Sequence, residues 1–289
     1  MSSDSPVFPR IAVVGLGLIG GSIAFAARRA WPSTHVVAVD REAVLREAQA
    51  RRAIDEGATD LAAIAGADLV VLAAPVRQNV ALLRQAAPLV SPAAVITDVG
   101  GTKRSIVEAA GALRDRVTFV GGHPLSGGAR GGFEFATAGL FARRPWIFTP
   151  DGPAAASAPA VERLSAFATG LGAHPTTMPA AEHDRLMAVI SHLPQLAVTA
   201  LMEIVGTTVG GPGLRMAGQG LIDTTRLASS PADVWRDICL TNADEIAHAL
   251  DLLIERLSDV RNDLQRAEII DSVFDHAAQW RAELMKGRD

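Results

Sequence analysis

Apolar and polar residues follow two different rhythms along this chain, and the change falls near Pro179. Before it, short apolar runs recur between segments of helical composition. Residues 11–14, 35–39, 68–74, 93–98, 117–120, 146–149 and 173–178 read as strands. Residues 68–74 and 93–98 read as strands buried on both faces, and the runs at 68–74 and 146–149 stop at Pro75 and Pro150. Helical stretches are expected at 23–30, 42–52, 76–87, 102–113 and 160–171, the last behind an Ala/Pro-rich loop at 153–160. Such β/α alternation predicts an α/β fold with a parallel, doubly wound sheet. After Pro179 the strand-like runs cease. Residues 181–205 have helical composition and are closed by the Gly206 to Gly213 region. Leu250, Leu253, Ile254 and Leu257 are spaced i, i+3, i+4, i+7, and Ile270, Val273, Phe274 and Ala277 repeat that apolar stripe. The expectation is an α/β domain at 7–178 followed by an all-helical domain at 179–289. Helical stripes of this kind often bury against a twin, so a homodimer is expected.

The first strand runs into Gly15-Leu16-Gly17-Leu18-Ile19-Gly20-Gly21-Ser22, and the second ends in Asp40. Strand, GxGxxG, helix, strand and acid form a complete Rossmann-type dinucleotide unit. Gly15 allows the turn, Gly17 lets the backbone approach a pyrophosphate, and Gly20 lets the helix pack on the strand. The first helical amides, at Leu18 and Ile19, face the phosphates with the helix dipole behind them. Asp40, twenty residues past Gly20, can accept hydrogen bonds from both ribose hydroxyls. It would repel a 2′-phosphate, so NAD is expected over NADP. Arg41 could grip such a phosphate, but reads better as an exposed residue opening the next helix.

Composition narrows the class. The chain has 289 residues, 49% of them hydrophobic and 20% charged, with net charge −4. That suits a globular protein with a large core. No basic block points to nucleic acid. The one cysteine, Cys239, excludes an internal disulfide and a multi-cysteine metal site and suits a reducing cytoplasm. Residues 1–9 lack the charged start and apolar core of a signal peptide, and no uninterrupted apolar run reaches about 20 residues, so no membrane span is expected.

Ligands of a doubly wound sheet bind at the carboxyl ends of its strands. Ala74, Pro75 and Val76 follow one strand and are expected to line the cofactor, as are Asp98 and Gly100 after the next. Gly121 to Gly128 follows the one after, and there His123 sits between glycines where an imidazole could take a proton from a substrate hydroxyl. In the helical half, Pro194 interrupts the pattern at Ser191-His192-Leu193-Pro194. Arg226 closes Gly218-Gln219-Gly220-Leu221-Ile222-Asp223-Thr224-Thr225-Arg226 and offers a planar fork to a carboxylate.

Taken in order, GLGLIGGS at 15–22, DVGGTK at 98–103, GGHPLSG at 121–127, SHLPQ at 191–195, then DTTR and VWRD resemble the motifs of the prephenate/arogenate dehydrogenase family of tyrosine biosynthesis. The resemblance spans nearly the whole chain. It implies an oxidative decarboxylation in which NAD takes a hydride from the ring carbon bearing the hydroxyl. It further implies that His123 is the base, that His192 contacts the substrate, and that Arg226 binds the substrate carboxylate. Gly101 stands where many members carry a serine that helps hold the ring hydroxyl, which leaves Thr102 or Ser126 for that contact. Gln195 replaces a second histidine and can still bond a substrate side chain, and Asp223 precedes the arginine motif at the substrate end. The implied partner is a small anionic substrate, prephenate or arogenate. The alternatives are arogenate or an amino-substituted prephenate as substrate, a β-hydroxyacid dehydrogenase, and a non-catalytic NAD-binding module. A β-hydroxyacid dehydrogenase would need a catalytic lysine that helix 181–205 lacks.

Overall fold

The computed structural model describes residues 5–127, 131–152 and 154–286. Its α/β part is one eight-stranded sheet. The strands are β1 (Arg10–Val14), β2 (His35–Val39), β3 (Glu56–Ala58), β4 (Leu69–Leu72), β5 (Val95–Asp98), β6 (Thr118–Pro124), β7 (Pro145–Pro150) and β8 (His174–Thr177), in the order β3-β2-β1-β4-β5-β6-β7-β8. Alternate residues of β1 point to opposite faces. Ile11 and Val13 join a core with Ile23 of α1 (Leu18–Ala30), Leu45 of α2 (Glu42–Ala50) and Leu164 and Phe167 of α5 (Ala154–Gly170). Ala12 and Val14 join the other core, with Leu83 of α3 (Val76–Ala86) and Ile106 of α4 (Arg104–Gly111). Covered on both faces, the central strands β1 and β4 have no solvated side, which is why Ile11 to Val14 and Leu69 to Leu72 are unbroken apolar runs, while the edge strand β8 is polar and mostly exposed.

The sheet departs from the expected all-parallel pattern at one seam, where β6 pairs antiparallel with β7 while every other pairing is parallel. Among its described residues the β6–β7 connection contains only a short turn of 3-10 helix at Phe133–Phe135, and a strand that returns without a crossover helix can pair antiparallel. The antiparallel partner also lengthens β6: Gly122 faces Phe148 and His123 faces Ile147, so His123 lies within a strand and not in the loop after it. Strand β3 escapes the apolar pattern because its three residues are Glu, Gly and Ala. Helix α5 starts inside the expected Ala/Pro loop and carries Pro159 within it. Of the segments singled out above, residues 1–4, 128–130 and 153 lie outside the described residues.

The helical part opens with α6 (Ala180–Met187), a turn of π-helix at Ala188–His192, and α7 (Leu193–Leu214). Pro194 has no amide hydrogen and its ring clashes with an ordinary helical turn before it. The widened π turn absorbs the expected interruption without ending the rod. Helical geometry breaks at Gly210 (φ 59°), inside the glycine-rich closure. The 35-residue run from Ala180 to Leu214 is long and apolar enough, by length and composition, to cross a membrane. Then come α8 (Gln219–Thr224), α9 (Ala232–Thr241), α10 (Ala243–Asp263) and α11 (Ile270–Met285). Contacts gather the chain into a larger unit that ends at Ala243 and a smaller one from Asp244 onward.

The turn out of β1 depends on two glycines in mutual contact. Gly15 has φ +98°, and a Cβ on Gly20 would stand 1.9 Å from the Gly15 carbonyl oxygen, a backbone atom with nowhere to go. Gly17 has no neighbour within 4 Å of its Cβ position and an extended backbone. Gly20→Ala is therefore expected to cost about 3 kcal/mol or more and to lower Tm by roughly 6 °C or more, whereas Gly17→Ala leaves Tm within about 2 °C. Thermal unfolding of the two variants checks the contrast.

Candidate active site

Two clefts meet at the start of α1. The first, about 1240 Å³, is lined by Gly15, Gly17, Asp40, Arg41, Ala74 and Pro75 among others, at the carboxyl ends of β1, β2 and β4. Asp40 is fixed there by the Leu16 and Arg41 amides, which donate to its two carboxylate oxygens at 2.6 Å each. The Arg41 side chain is 88% exposed and 3.8 Å from Asp40, so it lies at the rim. Gly17 offers no side-chain cap to α1, whose first turn carries no acid. The helix-start amides are thus open to an anion, and the open space over Gly17 is where a Cβ would intrude. This donor set fits a dinucleotide. Val76 is buried at the start of α3.

Asp98 and Gly100 do not line this cleft. Asp98 is fully buried in an ion pair with Lys103, also fully buried, and accepts from the Gly100 amide at 2.8 Å and the Gly122 amide at 3.1 Å. Lys103 Nζ also donates to the Gly122 carbonyl at 2.8 Å. The pair therefore grips both backbone groups of the residue before His123. A Cβ on Gly122 would lie 2.5 Å from the Asp98 carbonyl oxygen, so only glycine permits this approach.

His123 is half-buried, and its Nδ1 lies 2.9 Å from Nε2 of His183, whose Nδ1 lies 2.8 Å from the Asp184 carboxylate. Asp184 also accepts from the backbone amides of Lys103 (2.7 Å) and Arg104 (2.9 Å) and from Arg104 Nε (3.3 Å). His192 is buried on the π turn, 3.3 Å from Asn242 Nδ2 and edge-on to Trp235. Asn242 donates to the Asp184 carbonyl oxygen at 2.8 Å and accepts from Arg104 at 2.8 Å. The two histidines singled out in the sequence are thereby tied into one polar network with Asp184 at its centre.

The second cleft, about 490 Å³, is lined by Leu18, Ile19, Ser126, Gln195, Arg226 and Trp235 among others. Arg226 is the one ionisable side chain among its described lining residues. Ser126 Oγ is buried there with no hydrogen-bond partner among the described residues. Gln195 is occupied: its amide nitrogen donates to the Leu227 carbonyl (2.8 Å) and to Thr199 (3.2 Å), and its oxygen accepts from Ser230 (3.1 Å). Thr102 shares a 2.7 Å hydrogen bond with Thr241, and Asp223 accepts from Gln219, so neither borders the described cleft. A Cβ on Gly101 would meet Ile238 at 3.5 Å, an ordinary contact.

Residues 23–176 match the profile described as "Prephenate dehydrogenase, nucleotide-binding domain", and residues 179–277 match "Prephenate dehydrogenase, dimerization domain". The chain belongs to the prephenate/arogenate dehydrogenase family. It is 34% identical over 283 residues to the prephenate dehydrogenase of Bacillus subtilis, covering 94% of this chain and 75% of that one. Its fold is similar to the crystal structure of prephenate dehydrogenase from Aquifex aeolicus in complex with hydroxyphenyl propionate and NAD+, with TM-score 0.86, 27% identity and coverage of 95% and 98%. Synechocystis arogenate dehydrogenase follows at TM-score 0.78, 27% identity and coverage of 95% and 99%. The chain is thus an oxidoreductase of this family.

Within that family site, His183, Asp184, Lys103 and Asn242 are the residues that sequence reasoning passed over. The adjacent pair His183-Asp184 near the start of α6 is the one signal in the sequence that could have pointed to them. Burial holds the His123 pKa well below its ordinary value, and His183, Lys103 and His192 push it further down. Burial lowers His183 as well, against the Asp184 bond, and lowers His192 to about 4. Burial would raise Asp184, but the His183 bond and the Arg104 and Lys103 amides outweigh it and hold the pKa low.

These shifts set a pH dependence of stability. In the unfolded chain the three histidines take protons near pH 6.5, whereas in the fold they resist them. Stability is therefore full above about pH 6.5 and falls as the pH drops toward 4, with Asp184 adding a further loss at still lower pH. His192 alone is expected to contribute on the order of 1–3 kcal/mol to that fall. Urea unfolding between pH 7.5 and 4 should show the decline, and His192→Gln should flatten it; a flat wild-type profile would contradict the burial of these imidazoles.

Proposed function

We propose that this chain is an NAD-dependent prephenate dehydrogenase, converting prephenate to 4-hydroxyphenylpyruvate in tyrosine biosynthesis. The observation that carries the choice of substrate is the second cleft, where Arg226 is unaccompanied by any acid among the described lining residues. A guest with carboxylates and no ammonium suits it, because a buried ammonium without an acceptor is costly. Arogenate carries such an ammonium.

The roles follow from placement. Asp40 and the open amides at Leu18 and Ile19 bind the dinucleotide, with Asp40 on the ribose and Gly17 giving the phosphates room. NAD supplies the hydride acceptor for the ring carbon that bears the hydroxyl. His123 removes the hydroxyl proton as the hydride leaves; the electron pair left by departing CO₂ completes the aromatic ring, and the ring oxygen then takes the proton back from His123. Arg226 holds a carboxylate of the substrate in a two-pronged grip. Ser126, whose hydroxyl has no partner among the described residues, takes the substrate contact in place of Thr102, which is fully buried against Thr241. Gln195 acts through the protein, holding Leu227 and Ser230 on the turn that begins with Arg226. His192 borders the substrate beside Trp235.

Residues 7–178 form the dinucleotide-binding domain and residues 179–289 the substrate and dimerisation domain of a cytoplasmic homodimer. Apolar exposure supports the dimer: Ile204 of α7 is 58% exposed, and Phe274 and Trp280 of α11 are 72% and 74% exposed. Surfaces of this kind are rarely left to water. A second copy, and not a lipid bilayer, is the cover proposed for the apolar run of Ala180 to Leu214, because that run carries the buried His192 and Gln195.

Steady-state assays of prephenate and arogenate, each with NAD and NADP, test this reading. Prephenate with NAD should be favoured by about tenfold or more in kcat/KM over either change of partner. His123→Asn should lower kcat about 10²–10⁴-fold, and Arg226→Ala should raise the KM for prephenate about 10–100-fold while the KM for NAD holds. Wild-type turnover by His123→Asn, or failure on both substrates with both cofactors, would overturn it.

A further inference from the structure

We propose that His183 and Asp184 are positioning residues that dictate which ring nitrogen of His123 carries its proton, so that Nε2 is the nitrogen left free to accept one. The proposal rests on the reading of His123 as the base.

With His183 neutral, as its burial favours, the hydrogen bonds admit one proton assignment. The Asp184 carboxylate receives two backbone amides and Arg104 Nε, all of which can only donate. It is therefore ionised and acceptor-only, and His183 Nδ1, 2.8 Å away, carries a hydrogen to give it. Neutral His183 then has only a lone pair at Nε2. The partner of that lone pair is His123 Nδ1 at 2.9 Å, so His123 Nδ1 is the donor. A neutral His123 with its hydrogen on Nδ1 presents a bare Nε2. The other tautomer would set two lone pairs against each other between the rings.

The charges around His123 agree with this assignment. From β5 and the loop after it come Asp98 and Lys103, from α6 come His183 and Asp184 with Arg104 on the latter, and from the π turn comes His192. The Lys103 charge is matched by Asp98. That leaves the Asp184 charge, passed through His183, to steady the imidazolium formed when the substrate proton arrives at Nε2. No proton moves along the chain: the O–H bond of the substrate breaks, an N–H bond forms at Nε2, and Nδ1 keeps its hydrogen throughout. A carboxylate that orients an imidazole through Nδ1–H is the logic of hydrolase triads, here with a second imidazole interposed.

The test compares His183→Leu, His183→Gln and Asp184→Asn with wild type and His123→Asn, using NAD and whichever of prephenate or arogenate the wild type turns over. His183→Leu removes the acceptor and should lower kcat about 100-fold or more with KM values within about threefold. His183→Gln keeps a carbonyl that can accept from His123 Nδ1 and should recover at least about tenfold of that loss. In ¹⁵N-histidine spectra the wild type should show His123 protonated at Nδ1 and bare at Nε2, and Asp184→Asn should reverse or mix the two. Because Asp184 also receives the first amides of α4, failure of Asp184→Asn to fold leaves the His183 pair and the wild-type spectrum to decide. Wild-type turnover by His183→Leu, no advantage of Gln over Leu, or a proton on His123 Nε2 in the wild type would overturn the proposal. If His123→Asn is inactive while His183→Leu is unimpaired, the relay alone falls; if His123→Asn is fully active, the base assignment falls with it.

Discussion

One buried carboxylate, that of Asp184, connects the sheet to the helices behind its active edge. It lies on α6, yet it receives the amides of Lys103 and Arg104, about eighty residues earlier in the chain, and the imidazole of His183 beside it. Desolvating an anion costs several kcal/mol, and a charge in that position persists only if nearly all its lone pairs are met. Here they are met by the N-terminus of one helix, a guanidinium and an imidazole. The arrangement is directional: each partner can satisfy Asp184 from one place only. The loop after β5, the start of α6 and the ring of His123 are therefore set relative to one another.

A second buried charge pair continues the frame. Lys103 and Asp98, both without solvent contact, spend their remaining hydrogen bonds on the Gly122 peptide and on Gly100. Such a pair is weak evidence for stability, because two apolar residues could fill the space at similar cost. Its effect is on position. Strand β6 is gripped at the residue before His123 from one side and paired with β7 on the other, so the imidazole is carried on rigid backbone while the ligand-facing loops remain free to differ.

What could be read from the chain follows the range of the physics involved. The GxGxxG turn, its helix and Asp40 are local, and Gly15 and Gly20 prove to be in contact for the reason their spacing suggests. His123 announced itself by its glycines and Arg226 by its motif, and the fold places Arg226 in a cleft with Ser126, three residues beyond His123. The antiparallel seam was not legible, because it depends on a connection whose described residues hold no crossover helix, and strand β3 has no apolar pattern to see. Gln195 and Thr102 look like ligand-facing groups in sequence; their partners on α7, α9 and the Leu227–Ser230 segment appear only on folding. His183 is sixty residues from the ring it touches, and no spacing rule reaches that far.

In the proposed reaction this frame aims one imidazole nitrogen at a substrate whose carboxylate is held by Arg226. A crystal structure of the ternary complex with NAD and a product-like hydroxyphenyl acid tests it most directly. The ring hydroxyl is expected within about 3 Å of His123 Nε2, with Nδ1 still on His183 and a carboxylate on Arg226. A ligand in the second cleft whose hydroxyl lies away from His123, or a His123 ring turned so that Nδ1 meets the ligand, would contradict it.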